Sequence, residues 1–229
     1  MITILNITDS LSLPRKKPEQ VLFDEAWPQL VKQSIPCKMV NLAMGGNSIA
    51  DLLGQSDYYT GVEPDVLIVQ SGIVDCAPRA LTKFEAQLIN KSAILRVLFF
   101  KMIGSKRLRR YRNISYTSKK EFGKYIDKFC EKFKGVKIYW ITIVPASEEY
   151  EKALPGITKR VNEYNELLEE KSRQHHFELI STKNIPSSGI MSDHHHLSKE
   201  GHAWVAAQVQ SRLEEILRNK EAKQKESTF

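Results

Sequence analysis

The alternation of short apolar runs with longer segments of helical periodicity constrains this chain most. Five such runs occur, and each has the length and the polar boundaries of a buried strand. Their alternation with amphipathic segments predicts βαβ units around a parallel sheet. The runs occupy residues 2–7 (ITILNI), 38–43 (KMVNLA), 65–71 (DVLIVQS), 137–144 (KIYWITIV) and 177–181 (FELIS).

Three segments predict helices that cover the sheet. Residues 157–168 and 204–216 carry apolar side chains at helical spacing. Ser118, followed three residues later by Glu121, predicts a capping box that opens another helix with a buried aromatic stripe. We therefore expect helices on both faces of the sheet.

Length and composition predict a single folded domain. The chain has 229 residues, of which 41% are hydrophobic and 27% charged, which excludes wholesale disorder. We expect the domain to span residues 1–217, with a basic and apolar insertion near 91–117. Residues 218–229 are polar and are predicted to form a disordered tail.

Cysteine usage and hydropathy indicate a cytoplasmic location. Cys37, Cys76 and Cys130 cannot all pair within one chain, and their spacing fits neither a disulfide framework nor a zinc knuckle. No run approaches the roughly 20 apolar residues of a membrane span. The first ten residues lack the basic segment and cleavage site of a secretion signal, so we expect a protein of the reducing cytosol.

The net charge of +7 is concentrated in residues 101–120 and after Arg218. Residues 106–112 (KRLRRYR) follow an apolar stretch at 93–104. The simplest interpretation is a solvated helix face. The alternative is a lid or membrane-surface element, in which apolar side chains contact acyl chains and Arg107, Arg109 and Arg110 bind a phosphorylated substrate or anionic headgroups. Without a recognised binding module, we expect no nucleic-acid partner.

The candidate chemistry lies at the two ends of the chain. Ser10 follows the first predicted strand, where open α/β sheets bind their ligands. A serine there could simply cap a turn. Asp193 and His196, three residues apart before the last helix, supply the carboxylate and imidazole that would make Ser10 a nucleophile.

Four sequence blocks, in order, resemble those of the SGNH/GDSL hydrolase family. Residues 8–11 (TDSL) resemble the block of the nucleophilic serine, and residues 41–48 contain Gly46 where the family has an oxyanion glycine. Residues 72–75 (GIVD) are similar to the GxND block, and Asp193 with His196 matches DxxH. The resemblance implies a three-layer α/β/α sandwich of flavodoxin-like type with a parallel sheet of about five strands.

The same resemblance implies residue roles. Ser10 would attack an ester, His196 would act as general base and acid, and Asp193 would orient the imidazole. The backbone amides of Ser10 and Gly46 would hold the oxyanion. The resemblance implies neither a metal nor a cofactor.

Two positions depart from the family pattern. Thr8 replaces a glycine, which removes no catalytic group. Val74 replaces the asparagine whose side chain would donate to the oxyanion, and loss of such a donor costs about 100- to 1,000-fold in turnover. Asn47, beside Gly46, is a candidate substitute.

The histidines also allow a metal site. His194, His195, His196 and His202 lie within nine positions, and imidazole is a common metal ligand. The HExxH motif is missing and adjacent histidines point in different directions, so we expect no metal. His194 and His195 are instead predicted to form part of the substrate-binding pocket wall.

We expect a serine esterase that removes an O-acyl, acetyl-like group from a carbohydrate or lipid-like substrate. An O-acyltransferase that uses the same site is one alternative. A catalytically weak protein of this fold that binds an anionic sugar or lipid is another. The sequence lacks GxSxG, GxGxxG and GxxxxGK[ST], which disfavours a lipase-type α/β-hydrolase, a dinucleotide enzyme and a P-loop protein.

Overall fold

The computed structural model describes residues 1–91, 97, 106–112 and 114–226. Its centre is a five-stranded parallel sheet in the order β2-β1-β3-β4-β5. All five predicted strands are confirmed, as is the α/β class. The strands are β1 (Ile2–Thr8), β2 (Cys37–Ala43), β3 (Val66–Gln70), β4 (Lys137–Ile141) and β5 (Glu178–Ile180).

Burial follows the order of the strands. Every residue of β3 is buried, as are most of β1 and β4, because helices cover both faces of these central strands. β2 and β5 form the edges and are only partly buried. The near-continuous apolar runs read in the sequence are thus those of strands buried on both faces.

Helices alternate with the strands along the described chain. The first four are α1 (Trp27–Ser34), α2 (Ile49–Gln55), α3 (Ile73–Cys76) and α4 (Lys83–Asn90). The next three are α5 (Lys106–Arg112), α6 (Lys119–Lys132) and α7 (Glu148–Ala153). The last two are α8 (Ile157–His175) and α9 (Lys199–Glu226).

The helices form two layers around the sheet. α1 packs against α9, while α6 packs against α8 and α2. Ser118 and Glu121 form the predicted capping box at the start of α6. The large aromatic side chains of the single hydrophobic core are fully buried between these layers; they are Trp27, Phe122, Phe129, Trp140 and Tyr164.

Three details differ from, or lie beyond, the sequence expectations. α9 continues to Glu226, past the polar tail predicted to begin at residue 218. Charged, helix-favouring side chains prolong a helix whose apolar face is already anchored to the core. The basic run 106–112 forms helix α5, whereas most of the apolar stretch before it lies outside the described residues. Within the described residues, no helix is both long and apolar enough to cross a membrane.

The carboxyl ends of the central strands are aligned. Thr8 pairs with Ala43 on one side and with Gln70 on the other. The ladder continues for one more step, because the amide of Asp9 donates to Gln70 O (3.0 Å) and the amide of Met44 donates to Thr8 O (3.0 Å). The loops that follow β1, β2 and β3 therefore leave the sheet at the same level.

A close backbone contact holds the segment that precedes α9. Gly189 O accepts a hydrogen bond from Ser198 N at 2.9 Å. A Cβ atom placed on Gly201 would lie 1.9 Å from the same oxygen. Only glycine fits at position 201, and this contact fixes the loop 190–197 against the start of α9.

We expect Gly201→Ala to lower the free energy of unfolding by about 3 kcal/mol, the upper end of typical overpacking costs. Urea unfolding followed by tryptophan fluorescence measures the change. Gly54→Ala is the matched control, since a Cβ there meets nothing within 4 Å and alanine should stabilise α2 by about 0.5–1 kcal/mol. Wild-type stability in Gly201→Ala would contradict the proposed tight contact.

Candidate active site

The turn after β1 fixes Ser10. Asp9 caps the short 3-10 helix Ser10–Ser12, because its Oδ1 accepts the amide of Leu11 at 3.0 Å. The hydroxyls of Thr8 and Ser12 hydrogen bond to each other across the turn. Thr8, which stands where the family has glycine, thus contributes a contact that glycine could not make.

The structure brings together the three residues that the sequence singled out. Ser10 Oγ lies 3.0 Å from His196 Nε2, and His196 Nδ1 lies 2.6 Å from Asp193 Oδ2. The second carboxylate oxygen, Asp193 Oδ1, accepts the amides of His195 (3.2 Å) and His196 (3.1 Å). The carboxylate is therefore held from both sides while it faces the imidazole.

Burial and hydrogen bonds determine the protonation states of Asp193 and His196. Burial lowers the pKa of His196, and the hydrogen bond to Asp193, which acts in the opposite direction, does not fully offset it. Burial alone would raise the pKa of Asp193, but the hydrogen bonds from His196 outweigh it and lower that pKa. At neutral pH the pair is thus a carboxylate beside a neutral imidazole, whose Nε2 can accept the proton of Ser10.

A buried carboxylate joins the second block to the third. Asp75 accepts the amide of Ile49, the first residue of α2, at 3.0 and 3.2 Å through its two oxygens. Its Oδ1 also accepts the hydroxyl of Thr117 at 2.5 Å. Burial raises the pKa of Asp75 to about 6. Asp75 therefore anchors the loop that carries Gly46.

Two glycines of the second block lie beside Ser10. Gly45 and Gly46 line the same cavity as Ser10, and a Cβ atom on Gly45 would lie 3.9 Å from Ser10 Cβ. Gly46 has a φ of 74°, in the left-handed region that favours glycine. Val74 also lines this cavity, so an apolar side chain occupies the place where the family has an amide.

Asn47 points elsewhere. Its amide donates to Met44 Sδ at 3.3 Å, and the residue lines a neighbouring cavity of about 580 Å³. The Asn47 side chain, the suggested replacement for the family asparagine, is thus engaged in a contact with Met44.

The cavity at Ser10 has a volume of about 520 Å³. Its lining includes two arginines and two tyrosines that the sequence analysis did not single out. They come from three separate loops and from α7; they are Arg15, Arg79, Tyr116 and Tyr150. Arg15 and Arg79 follow the first and third blocks at short distance, which is the one sequence signal that could have identified them.

The two predicted pocket histidines occupy different places. His195 lines the Ser10 cavity, and its ring centroid is 4.1 Å from that of His196. His194 lines a different cavity of about 430 Å³ and stacks on Tyr150. The structure thus brings His195 to the candidate site, whereas His194 contacts Tyr150 and lines the neighbouring cavity instead.

The arginines of α5 are divided between surface and cavity. Arg107 and Arg110 are exposed. Arg109 lines a cavity of about 290 Å³ beside the Ser10 cavity. Arg112 forms a paired hydrogen bond with Glu85, 2.9 Å for each of two nitrogens. Of this basic run, Arg109 comes nearest to the candidate site.

The metal alternative can be judged from the same geometry. Ligand atoms of Asp193, His195 and His196 lie within 4.8 Å of one another. Two ligands of a tetrahedral ion would stand roughly 3.3 Å apart, whereas Asp193 and His196 are at a hydrogen-bond distance of 2.6 Å. His202 is committed elsewhere, since its Nδ1 accepts the amide of Trp27 at 3.1 Å. The arrangement is that of a hydrogen-bonded acid-base pair.

A serine hydroxyl, an imidazole and a carboxylate are thus joined by hydrogen bonds at the carboxyl edge of a parallel sheet, and a family comparison identifies the class of protein. The family model described as GDSL-like lipase/acylhydrolase matches residues 9–204. The chain belongs to this family. No curated protein matches the chain in sequence.

Solved structures share the fold at low sequence identity. The lipase/acylhydrolase from Enterococcus faecalis is 16% identical, with a TM-score of 0.66 over 93% of this chain and 95% of that one. The psychrotrophic esterase EstA from Pseudoalteromonas sp. is 14% identical (TM-score 0.62; 95% and 100% covered). The acetyl xylan esterase AlAXEase is also 14% identical (TM-score 0.63; 92% and 99% covered).

Proposed function

We propose that this chain is a serine ester hydrolase that removes a short O-acyl group through an acyl-Ser10 intermediate. The observation that carries the proposal is the continuous relay from Ser10 Oγ to His196 and on to Asp193, with distances of 3.0 and 2.6 Å. Both distances lie within the range that proton transfer between a nucleophile and its base requires.

The reaction proceeds in two halves. Ser10 Oγ attacks the ester carbonyl as His196 Nε2 takes its proton, and His196 then returns that proton to the departing alcohol oxygen. Water, deprotonated by the same nitrogen, attacks the acyl-serine, and His196 then returns the proton to Ser10 Oγ as the bond to the acyl carbon breaks and the acid leaves. Asp193 holds the proton on Nδ1 and stabilises the imidazolium that forms in each half.

The tetrahedral oxyanion would rest on the backbone amides of Ser10 and Gly46. Val74 supplies no third donor, and the amide of Asn47 is engaged with Met44 Sδ. A two-donor hole supports catalysis, at a cost of about 3 kcal/mol relative to a hole with the additional side-chain donor.

The substrate we propose is an O-acyl, acetyl-like ester of a carbohydrate or lipid-like alcohol. The cavity is lined by tyrosine, histidine and arginine as well as aliphatic side chains, a mixed surface suited to a polar alcohol. One protein of the same fold is an acetyl xylan esterase. The three free thiols fit the reducing cytosol, where we place the protein.

Ser10→Ala should abolish covalent labelling by a fluorophosphonate probe and reduce hydrolysis of p-nitrophenyl acetate by at least about 1,000-fold, because the nucleophile is lost. Labelling is measured by mass spectrometry of the intact protein, and hydrolysis by absorbance. Ser211→Ala is the control, since it removes the hydroxyl of an exposed serine of α9. Full activity in Ser10→Ala would rule out the acyl-serine route.

The pH dependence of kcat/KM should follow the titration of the His196 imidazole. Only neutral imidazole accepts the serine proton, so activity should rise with pH and reach its plateau above the pKa of His196. Burial lowers that pKa, and we expect a midpoint below the 6.5 of an unperturbed histidine. A midpoint clearly above 6.5 would show that the imidazolium is stabilised instead.

Val74→Asn should raise kcat about tenfold or more, because it restores the family's side-chain donor at the oxyanion. Val74→Leu, which keeps the position apolar, is the control and should give no gain. Steady-state hydrolysis of p-nitrophenyl acetate provides the measurement. An unchanged kcat in Val74→Asn, with a fast wild type, would mean that the hole is already complete.

A further inference from the structure

The cavity around Ser10 is cationic. Two arginines, Arg15 and Arg79, line it, and its lining includes no aspartate or glutamate. In the part of the chain that the structure describes, no carboxylate oxygen lies within 4.0 Å of either guanidinium group. A concave surface with two guanidinium groups and no carboxylate in its lining attracts an anion.

Arg79 is held in place before any ligand arrives. Its backbone amide donates to Ile114 O at 2.7 Å, and its guanidinium carbon lies 4.8 Å above the ring of Tyr116. Its Nε atom is buried and has no hydrogen-bond partner among the described residues. A guanidinium held by burial at Nε and by the ring of Tyr116 is oriented before a ligand binds, which lowers the entropy cost of binding an anion in the cavity.

Arg15 lies near the catalytic pair. Its backbone pairs with Val21 in both directions, at 3.0 and 2.8 Å, which fixes the loop after Ser10. Burial lowers the pKa of His196, and the positive charge of Arg15 acts in the same direction. Burial also lowers the pKa of Arg15, and the charge of Asp193 opposes that shift. Arg15 and Arg79 thus join Ser10 and His196 in one cavity.

The neighbouring cavities differ in charge. The cavity that shares Arg79, Tyr116 and Leu154 with the Ser10 cavity also contains Arg109, so the positive surface continues toward α5. The cavity on the other side, beyond Gly46, contains Lys83, but this lysine is paired with Asp51 at 2.6 Å. Of these two neighbours, the cavity toward α5 is thus the one that shares Arg79 with the Ser10 cavity.

We propose that Arg15 and Arg79 form an anion subsite that binds a carboxylate or phosphate group carried by the ester substrate. The proposal rests on the proposed esterase function and specifies its substrate class as anionic esters. Guanidinium groups bind both oxyanions in paired hydrogen bonds, and the bound charge would fix the ester relative to Ser10.

A matched pair of esters tests the subsite. 3-Acetoxybenzoate carries a carboxylate beside its acetyl ester, and its methyl ester presents the same reacting group without the charge. We expect wild-type kcat/KM to be at least tenfold higher for the charged ester. Arg79→Gln and Arg15→Gln should each remove most of this preference, measured as the ratio of kcat/KM for the two esters.

Two further variants separate charge from structure. Arg79→Lys keeps the charge but loses the planar donor pair, so it should retain part of the preference. Arg173→Gln removes an exposed arginine of α8 and should leave the preference unchanged. Activity on the neutral ester reports folding in every variant. Equal kcat/KM for both esters in the wild type, or an unchanged preference in both Arg15→Gln and Arg79→Gln, would overturn the subsite.

Binding to Ser10→Ala distinguishes failure of the subsite from failure of the esterase proposal. Calorimetric titration of this variant with 3-acetoxybenzoate needs no turnover and should give an affinity that Arg79→Gln weakens at least tenfold. Such binding, combined with a wild type inactive on both esters, would retain the subsite and reject the esterase.

Inorganic phosphate and benzoate, used as competitors, identify the preferred group. Stronger competition by phosphate assigns a phosphoryl group, and stronger competition by benzoate assigns a carboxylate. The absence of competition by either overturns the subsite.

Discussion

The site depends on the pairing of β1 with β3 at the centre of the sheet. In the order β2-β1-β3-β4-β5, the chain leaves β1 toward one edge and continues from β3 toward the other. The loops diverge there and leave a crevice at the carboxyl ends of the strands. Ser10 follows β1 and Gly72 follows β3, so the crevice lies between the first and third sequence blocks. The one-step extension of the ladder at Asp9 fixes how far Ser10 stands from the sheet.

Buried polar groups maintain this arrangement. Asp75 ties the start of α2 to Thr117 beneath the cavity, and the pKa of Asp9 is raised to about 7 by complete burial. Asp9 Oδ2 has no partner among the described residues, so an ionised carboxyl would be stabilised through Oδ1 by the amide of Leu11 and would leave its second oxygen unpaired. The loops are therefore held by hydrogen bonds that stabilise the site and restrict the charges it can carry.

The strands and the relay could be predicted because each leaves a local pattern. Strands buried on both faces appear as short apolar runs, and Asp193 with His196 requires only a spacing of three. The cavity wall could not be predicted in this way, since the proximity of Arg79 to Ser10 follows from the path of two loops. The dense charge of 106–112 suggested a surface that binds anions, although Arg112 of this run is hydrogen bonded to Glu85. The end of α9 could not be predicted either, because the same polar composition occurs both in tails and in helices.

The contact between Ser10 and His196 joins positions separated by 186 residues. Before the last strand has formed, Ser10 is an ordinary turn serine, because the imidazole that it contacts lies beyond that strand. Bringing such distant positions together costs loop-closure entropy before the contact stabilises the fold. A chain still being synthesised would therefore hold Ser10 without His196 until α9 docks and the contact between Gly189 and Gly201 closes. Under the proposed mechanism, Ser10 would gain its reactivity only at that stage.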